Sequence, residues 1–248
     1  MDHLRYHVIR EGGRRLHNPL TSDQLAALGR TLRLEKGERV LDLGSGSGEL
    51  LCTWARDHGI TGTGVDICDE FTDRAGARAV ELGVDGLVEF VRGDASEYIA
   101  DEPVDLACCL GASWIGGGAA GTAELLRRSL RPGGTVLLGE PFWRREPPDQ
   151  RSVEACHADD ADDFPTLPEL LAYFGELGYD VVGMTIADQQ GWDRYKSAQW
   201  LSMRRWLTRH PDDGLAARLR AELAEEPAEY ARHEREYLGW GVFALMAR

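Results

Sequence analysis

The sequence predicts an α/β fold: a doubly wound, mostly parallel sheet with helices on both faces. Three observations carry that expectation. The hydrophobic period switches repeatedly between strand-like and helix-like spacing. In order, the segments read strand, helix, strand, helix, strand, strand, helix, strand, which calls for a parallel sheet covered on both sides. The first strand hands over to its helix through a glycine-rich turn inside "VLDLGSGSGELL", residues 40–51. Right-handed crossovers between such units produce a Rossmann-like layout.

Each element follows from its local pattern. A polar N-terminal arm, residues 1–20, comes first. The helix over "TSDQLAALGRTLRL" opens on the capping residues Thr21, Ser22 and Asp23. "ERVLDLG" is a strand, and "GELLCTWARDHG" is a helix ending near Gly59. "TGTGVDI" is the second strand, and "DEFTDRAGARAVELG" is a helix closed by Gly83. "LVEFVRGD" and the strongly apolar "VDLACCLG" are the third and fourth strands. The helix "GTAELLRRSLRPGG" is expected to stop at Pro132 and Gly133-Gly134, before the strand "TVLLGEP". Residues 142–165, rich in charge, proline and aspartate, read as an excursion, with "HADDADDF" a solvated loop. A helix and strand over "TLPELLAYFGELGYDVVGMTIA", two amphipathic helices and a last strand in "REYLGWGVFALMAR" complete the chain.

Composition narrows the function. No stretch approaches the roughly 20 apolar residues that span a bilayer, and the N-terminus has no apolar signal core, so a cytoplasmic protein without a membrane partner is expected. The five cysteines form no C-x-x-C pairing, which argues against a disulfide framework or structural zinc. They read as small buried hydrophobes, and no metal is expected. With 42 acidic residues against 28 basic ones, the formal net charge is −14, a surface that repels phosphate backbones. Nucleic acid is therefore excluded as a partner. A small-molecule substrate remains, acted on by a monomer or homodimer.

The glycine turn lies where open parallel sheets bind ligands, at the carboxyl edge of the strands. Glycines let a ligand approach the main chain closely, and the next helix's first amides are donors. The dinucleotide fingerprint needs a glycine at position 49, which is Glu49, so the spacing is G-x-G-x-G; no Gly-Lys-Ser/Thr follows for a P-loop. Asp42 and Glu49 suit a ligand carrying positive charge. Asp66, ending the second strand, is placed to accept both ribose hydroxyls, and Asp94, ending the third, to accept from an adenine amino group. Adenosine with a cationic tail is S-adenosylmethionine.

"VLDLGSGSG", "GVDI", "RGDA" and "LRPGGTVLLGEP" stand in the order and spacing of class I S-adenosylmethionine-dependent methyltransferases, which the chain resembles. "HNPL", "CTWARDHGITGTGVDI", "GASWIGGG", "GEPFWR", "GWDRYKSAQW" and "GWGVFAL" extend the resemblance to a group of small bacterial methyltransferases over nearly the whole chain. The resemblance implies a seven-stranded sheet whose last two strands form an antiparallel hairpin. It also implies that Gly44, Ser45 and Gly46 line the methionine portion, with Asp42 beneath them. Asp66 and Ile67 then meet the ribose side, Asp94 and Ala95 frame the adenine, and Leu110 with Gly111 lines the methyl-transfer face. Residues 1–248 read as one such domain: an arm or lid at 1–20, a cofactor-binding core at 36–141, the excursion, and a C-terminal part, 166–248, that contributes to the substrate pocket.

Trp114, Phe142, Trp143, Trp192 and Tyr195 are the candidate substrate-binding aromatics, gathered by the predicted topology at the ligand edge. His7 and His17 on the arm, which is expected to close over bound ligand, and Glu140 after the fifth strand are the candidate catalytic groups. The expected reaction is in-line methyl transfer to an N-, O-, S- or C-nucleophile of a small molecule. Elimination or cyclisation at a sulfonium, and non-catalytic binding of S-adenosylmethionine, are the alternatives.

Overall fold

The computed structural model describes residues 2–248 and contains one seven-stranded sheet, in the order β3-β2-β1-β4-β5-β7-β6. The strands are β1 (Arg39–Leu43), β2 (Thr61–Asp66), β3 (Val88–Arg92), β4 (Val104–Leu110), β5 (Leu130–Trp143), β6 (Tyr179–Ile186) and β7 (Leu238–Ala247). Parallel pairing joins β3 through β5, and β7 runs antiparallel to both β5 and β6. The expected doubly wound sheet with an antiparallel C-terminal strand is what the chain forms.

Side-chain alternation along the central strands separates two cores. Val40, Cys108 and Leu137 face one side, where α2 (Ser22–Thr31), α3 (Glu49–His58) and α4 (Asp69–Leu82) supply Leu25, Trp54 and Ala79. Leu41, Leu43, Cys109 and Leu138 face the other, where α5 (Ala119–Arg127) and α7 (Leu167–Glu176) supply Leu126 and Phe174. All five cysteines are free and buried, as small apolar residues. α2 opens on a capping box between Thr21 and Gln24, as its sequence signals.

Two expectations change. The N-terminal arm is largely helix, α1 (Asp2–Glu11), stabilised by packing on other helices rather than by a strong apolar stripe. Helix α5 ends at Arg127, and Pro132-Gly133-Gly134 lies within β5, with a shifted register against β4. The last two strands pair antiparallel, as the resemblance implies, with residues 187–237 between them.

That intervening segment positions the site. β6 ends, and the antiparallel β7 begins, at the edge where β1, β2 and β4 also end. The connection therefore stands over that edge as the long α8 (Gln189–Arg209), α9 (Ala216–Arg232) and the short α10 (Glu234–Tyr237). Asp188 caps α8, its carboxylate accepting from the Gly191 amide at 2.6 Å. α1 packs against α8, with Ile9, Met203, Leu207, Ala216 and Leu219 as a small third core. The excursion after β5 holds α6 (Gln150–Ala155) and a 3-10 turn at Ala161–Asp163, closed by the mutual caps of Asp160 and Asp163. No helix among the described residues is long and apolar enough to cross a membrane.

Candidate active site

The glycine turn is held by main-chain and carboxylate bonds rather than by side-chain packing. The amides of Gly44 and Ser45 both donate to the Val65 carbonyl, at 2.8 and 3.1 Å. The Gly46 amide donates to Asp66 Oδ2 at 2.8 Å, and Asp66 Oδ1 accepts from the Cys68 amide at 2.9 Å. Asp66 thus ties the first turn to the end of β2, with lone pairs left on both oxygens. Ser45 Oγ is buried with no hydrogen-bond partner among the described residues. Gly46 needs its left-handed φ of +53°, and a Cβ there would lie 2.7 Å from His17 Nδ1. Gly48, at a φ of +70°, also lets α3 pack closely, since a Cβ there would lie 2.5 Å from Phe90 Cζ and 2.7 Å from Ala75 Cβ.

The carboxylates around the turn divide by partner. Asp42 is buried beneath it, against Cys108, and burial pushes it up to about 7, the thiol opposing and Asp66 adding to the rise. Glu49 is not available to a cationic ligand, because Arg78 holds both its oxygens at 2.8 and 2.9 Å. Asp94 is exposed, and its Oδ1 caps the next turn by accepting from the Ser96 amide and hydroxyl. These bonds hold Asp94 below the usual carboxylate range and leave Oδ2 open. Ala95 is buried beside it, Ile67 is 57% exposed, and Leu110 is half-buried before Gly111.

The arm reaches this turn. His17 Nε2 lies 3.1 Å from Ser47 Oγ, and its ring packs at 4.4 Å from that of Phe71. Burial pushes His17 down to about 4, outweighing the nearby charge of Glu11, so the imidazole is neutral at pH 7. His7 is exposed, with its ring 5.5 Å from Phe71. A buried polar network anchors the arm to α8 and α9. Glu11 accepts from Gln199 at 2.6 Å and from the Tyr195 hydroxyl at 3.1 Å; Arg10 pairs with Glu226 and donates to Gln199 at 3.1 Å. Arg14 stacks 4.0 Å from the Tyr195 ring and donates to the carbonyls of Leu16, Asn18 and Tyr195.

Between the arm, α8, α10 and the sheet edge lies a cavity of about 440 Å³. Its sheet-side wall is Gly111, Pro141 and Trp240; the Trp240 ring occupies the space a Cβ on Gly139 would need. Trp192, Tyr195, Lys196 and Gln199 form one stripe of α8 along it, spaced i, i+3, i+4 and i+7. Lys196 lies 2.9 and 3.0 Å from the two oxygens of Glu234, and both are buried. Burial raises Glu234, but His157 and Lys196 outweigh it and hold the carboxylate below its usual range. A groove of similar size lies at the opposite, amino edge of the sheet, lined by strand starts such as Arg39, Thr61 and Val88, away from every group described above.

Of the candidate residues, the structure brings His17, Trp192 and Tyr195 to the cavity wall. Trp114 is 74% exposed on a 3-10 turn (Ser113–Gly116). Phe142 is core, filling the space over Gly239, and Trp143 packs on Phe164 while its Nε1 donates to the Ala161 carbonyl at 2.7 Å. Glu140 alternates with Pro141 and faces the other side of the sheet, where its Oε2 accepts from Ser113 Oγ at 3.2 Å. Its Oε1 is buried without a hydrogen-bond partner among the described residues, and burial pushes the carboxyl up to about 7. Arg10, Lys196, Gln199, Glu234 and Trp240 were not expected. Lys196 and Gln199 share the helical spacing of the aromatics and are legible from it; Arg10 and Glu234 have no local signal.

This geometry has known counterparts. A family model for a methyltransferase domain matches residues 40–134. The uncharacterized protein YjhP of Escherichia coli (strain K12) is 56% identical over 248 residues, covering 100% of both chains. A solved SAM-dependent methyltransferase from Geobacter sulfurreducens, in complex with S-adenosyl-L-homocysteine, has a TM-score of 0.97 and 61% identity over 98% of each chain. Another from Thiobacillus denitrificans, also in complex with S-adenosyl-L-homocysteine, has a TM-score of 0.96 and 60% identity over 97% of each.

Proposed function

Because the chain belongs to the S-adenosylmethionine-dependent methyltransferases, we propose that it methylates a small molecule held in the cavity under α8. S-adenosylmethionine is its cofactor. The supporting observation is the position of His17, which touches the glycine turn at Ser47 and also lines the cavity, so the two spaces share a wall.

The residues present fit that cofactor. Asp66 accepts from the ribose hydroxyls with the lone pairs its amide bonds leave, and Asp94 Oδ2, with Ala95 and Ile67, frames the adenine. Gly44, Ser45 and Gly46 take the methionine portion, where the orphaned Ser45 hydroxyl gains a partner. Asp42 supports the turn from beneath, and Leu110 and Gly111 face the transfer side. When bound, the cofactor supplies a methyl group already activated by its sulfonium.

The protein's task is therefore alignment and exclusion of water. Orientation of this kind lowers a barrier by roughly 7–11 kcal/mol. Trp192, Tyr195 and Trp240 fix the plane of the acceptor, and the arm network closes the cavity on the α1 side. Neutral His17 orients the acceptor and is a weak base at its lowered pKa. His7 and Glu140 stand outside the cavity lining, and positioning carries the catalysis.

Metabolite extract incubated with isotopically labelled methyl donor tests the reading. The expected result is one labelled small molecule formed in step with S-adenosylhomocysteine. Binding of the cofactor with no labelled product from any extract would contradict it.

A further inference from the structure

Resting on that reading, we infer that the acceptor is a small carboxylate-bearing molecule with a flat apolar body, its carboxylate held by Lys196 and Trp192. These two side chains are four residues apart on α8 and line the same cavity. The Trp192 indole is buried, and its Nε1–H has no partner among the described residues. Lys196 has three N–H donors, and its one hydrogen-bond partner among the described residues is Glu234.

The carboxylates around the cavity already have cationic or donor partners. Glu234 is paired with Lys196 and Glu226 with Arg10, while Glu11, behind Tyr195, receives Tyr195 and Gln199 on Oε1 and lies 3.6 Å from Arg14 through Oε2. The Trp192 Nε1–H is by contrast a buried donor with no partner among the described residues, and a group that meets it must bring an acceptor oxygen. A cationic ligand finds no unpaired carboxylate here. An anionic one meets Lys196 and also His157, whose Nε2 lies 3.6 Å from Glu234 Oε1 and carries charge when protonated. A carboxylate brings one acceptor oxygen for each of these two donors, and its contact with Lys196 is charge-assisted. The Trp192, Tyr195 and Trp240 rings hold a flat body whose nucleophilic atom points to Gly111 at the sheet edge.

The full-length protein, saturated with S-adenosylhomocysteine, is titrated calorimetrically with benzoate, phenylacetate and indole-3-acetate, and with the matched amides. At least one acid is expected to bind about tenfold more tightly than its amide. The double variant Lys196→Met/Glu234→Gln removes both charges without leaving either unpaired, so it keeps the fold. It is expected to lose that preference while binding S-adenosylhomocysteine within about twofold of the parent. Acids that bind no better than amides, or a preference that survives in the double variant, overturn the inference. Failure to bind S-adenosylhomocysteine would instead strike the cofactor seat, so the two readings fail separately.

Discussion

The glycine-turn edge and the helical cap above it hold their functional groups by different means. At the turn, main-chain amides and two aspartates do the work, and partners lie within a few residues or on adjacent strands: Gly46 to Asp66, Asp94 to Ser96. In the cap, buried charged side chains meet across most of the chain, as Arg10 does Glu226 and Glu11 does Gln199. The first arrangement suits a ligand common to many enzymes. The second, on the function proposed above, is where the acceptor would be selected.

The contrast can be broken in order of effect. Arg10→Met removes the cationic partner of Glu226 in a largely buried network, leaving it the Trp200 Nε1–H donor. It should cost about 3 kcal/mol of stability in urea unfolding while leaving S-adenosylhomocysteine affinity within about threefold. Asp66→Ala should do the reverse, weakening that affinity about 100-fold by calorimetry with a loss of about 1 kcal/mol in stability. Equal sensitivity of both quantities in both variants would erase the distinction.

Charge buried at the two sides of the sheet gives a pH prediction. Glu140, at about 7 when folded and near 4.5 when unfolded, binds more protons folded than unfolded between those values. Its contribution therefore falls as pH rises through that window, and Glu140→Gln should match the parent at pH 4 and exceed it by roughly 3 kcal/mol at pH 8. Parallel stability curves for the two proteins would show that Glu140 titrates alike in the folded and the unfolded chain. The smallest effect belongs to Trp114→Ala, which should alter stability by less than about 0.5 kcal/mol, because the ring is exposed.

The same contrast explains what could be read from sequence. The turn, Asp66 and Asp94 were legible because strand ends, glycines and aspartates fall in short contiguous runs. Gly48 and Glu49 belong to those runs yet serve packing and the Arg78 pair, roles that depend on Phe90 and Ala75 arriving from β3 and α4. The α1 helix was not legible, since its partners lie far along the chain on α8 and α9. Pro132-Gly133-Gly134 resembles a helix stop but sits in a strand, because pairing of Val104 with Leu130 starts β5 early. The aromatic stripe of α8 is legible from its helical spacing, while the role of Lys196 within it depends on Glu234, which lies 38 residues away on α10.

A crystal structure of this chain with S-adenosylhomocysteine tests the central claim most directly. The account predicts both ribose hydroxyls within hydrogen-bonding distance of Asp66 and the sulfur facing Gly111 at the mouth of the cavity under α8. A nucleotide seated away from Asp66, or a sulfur walled off from that cavity, would contradict it.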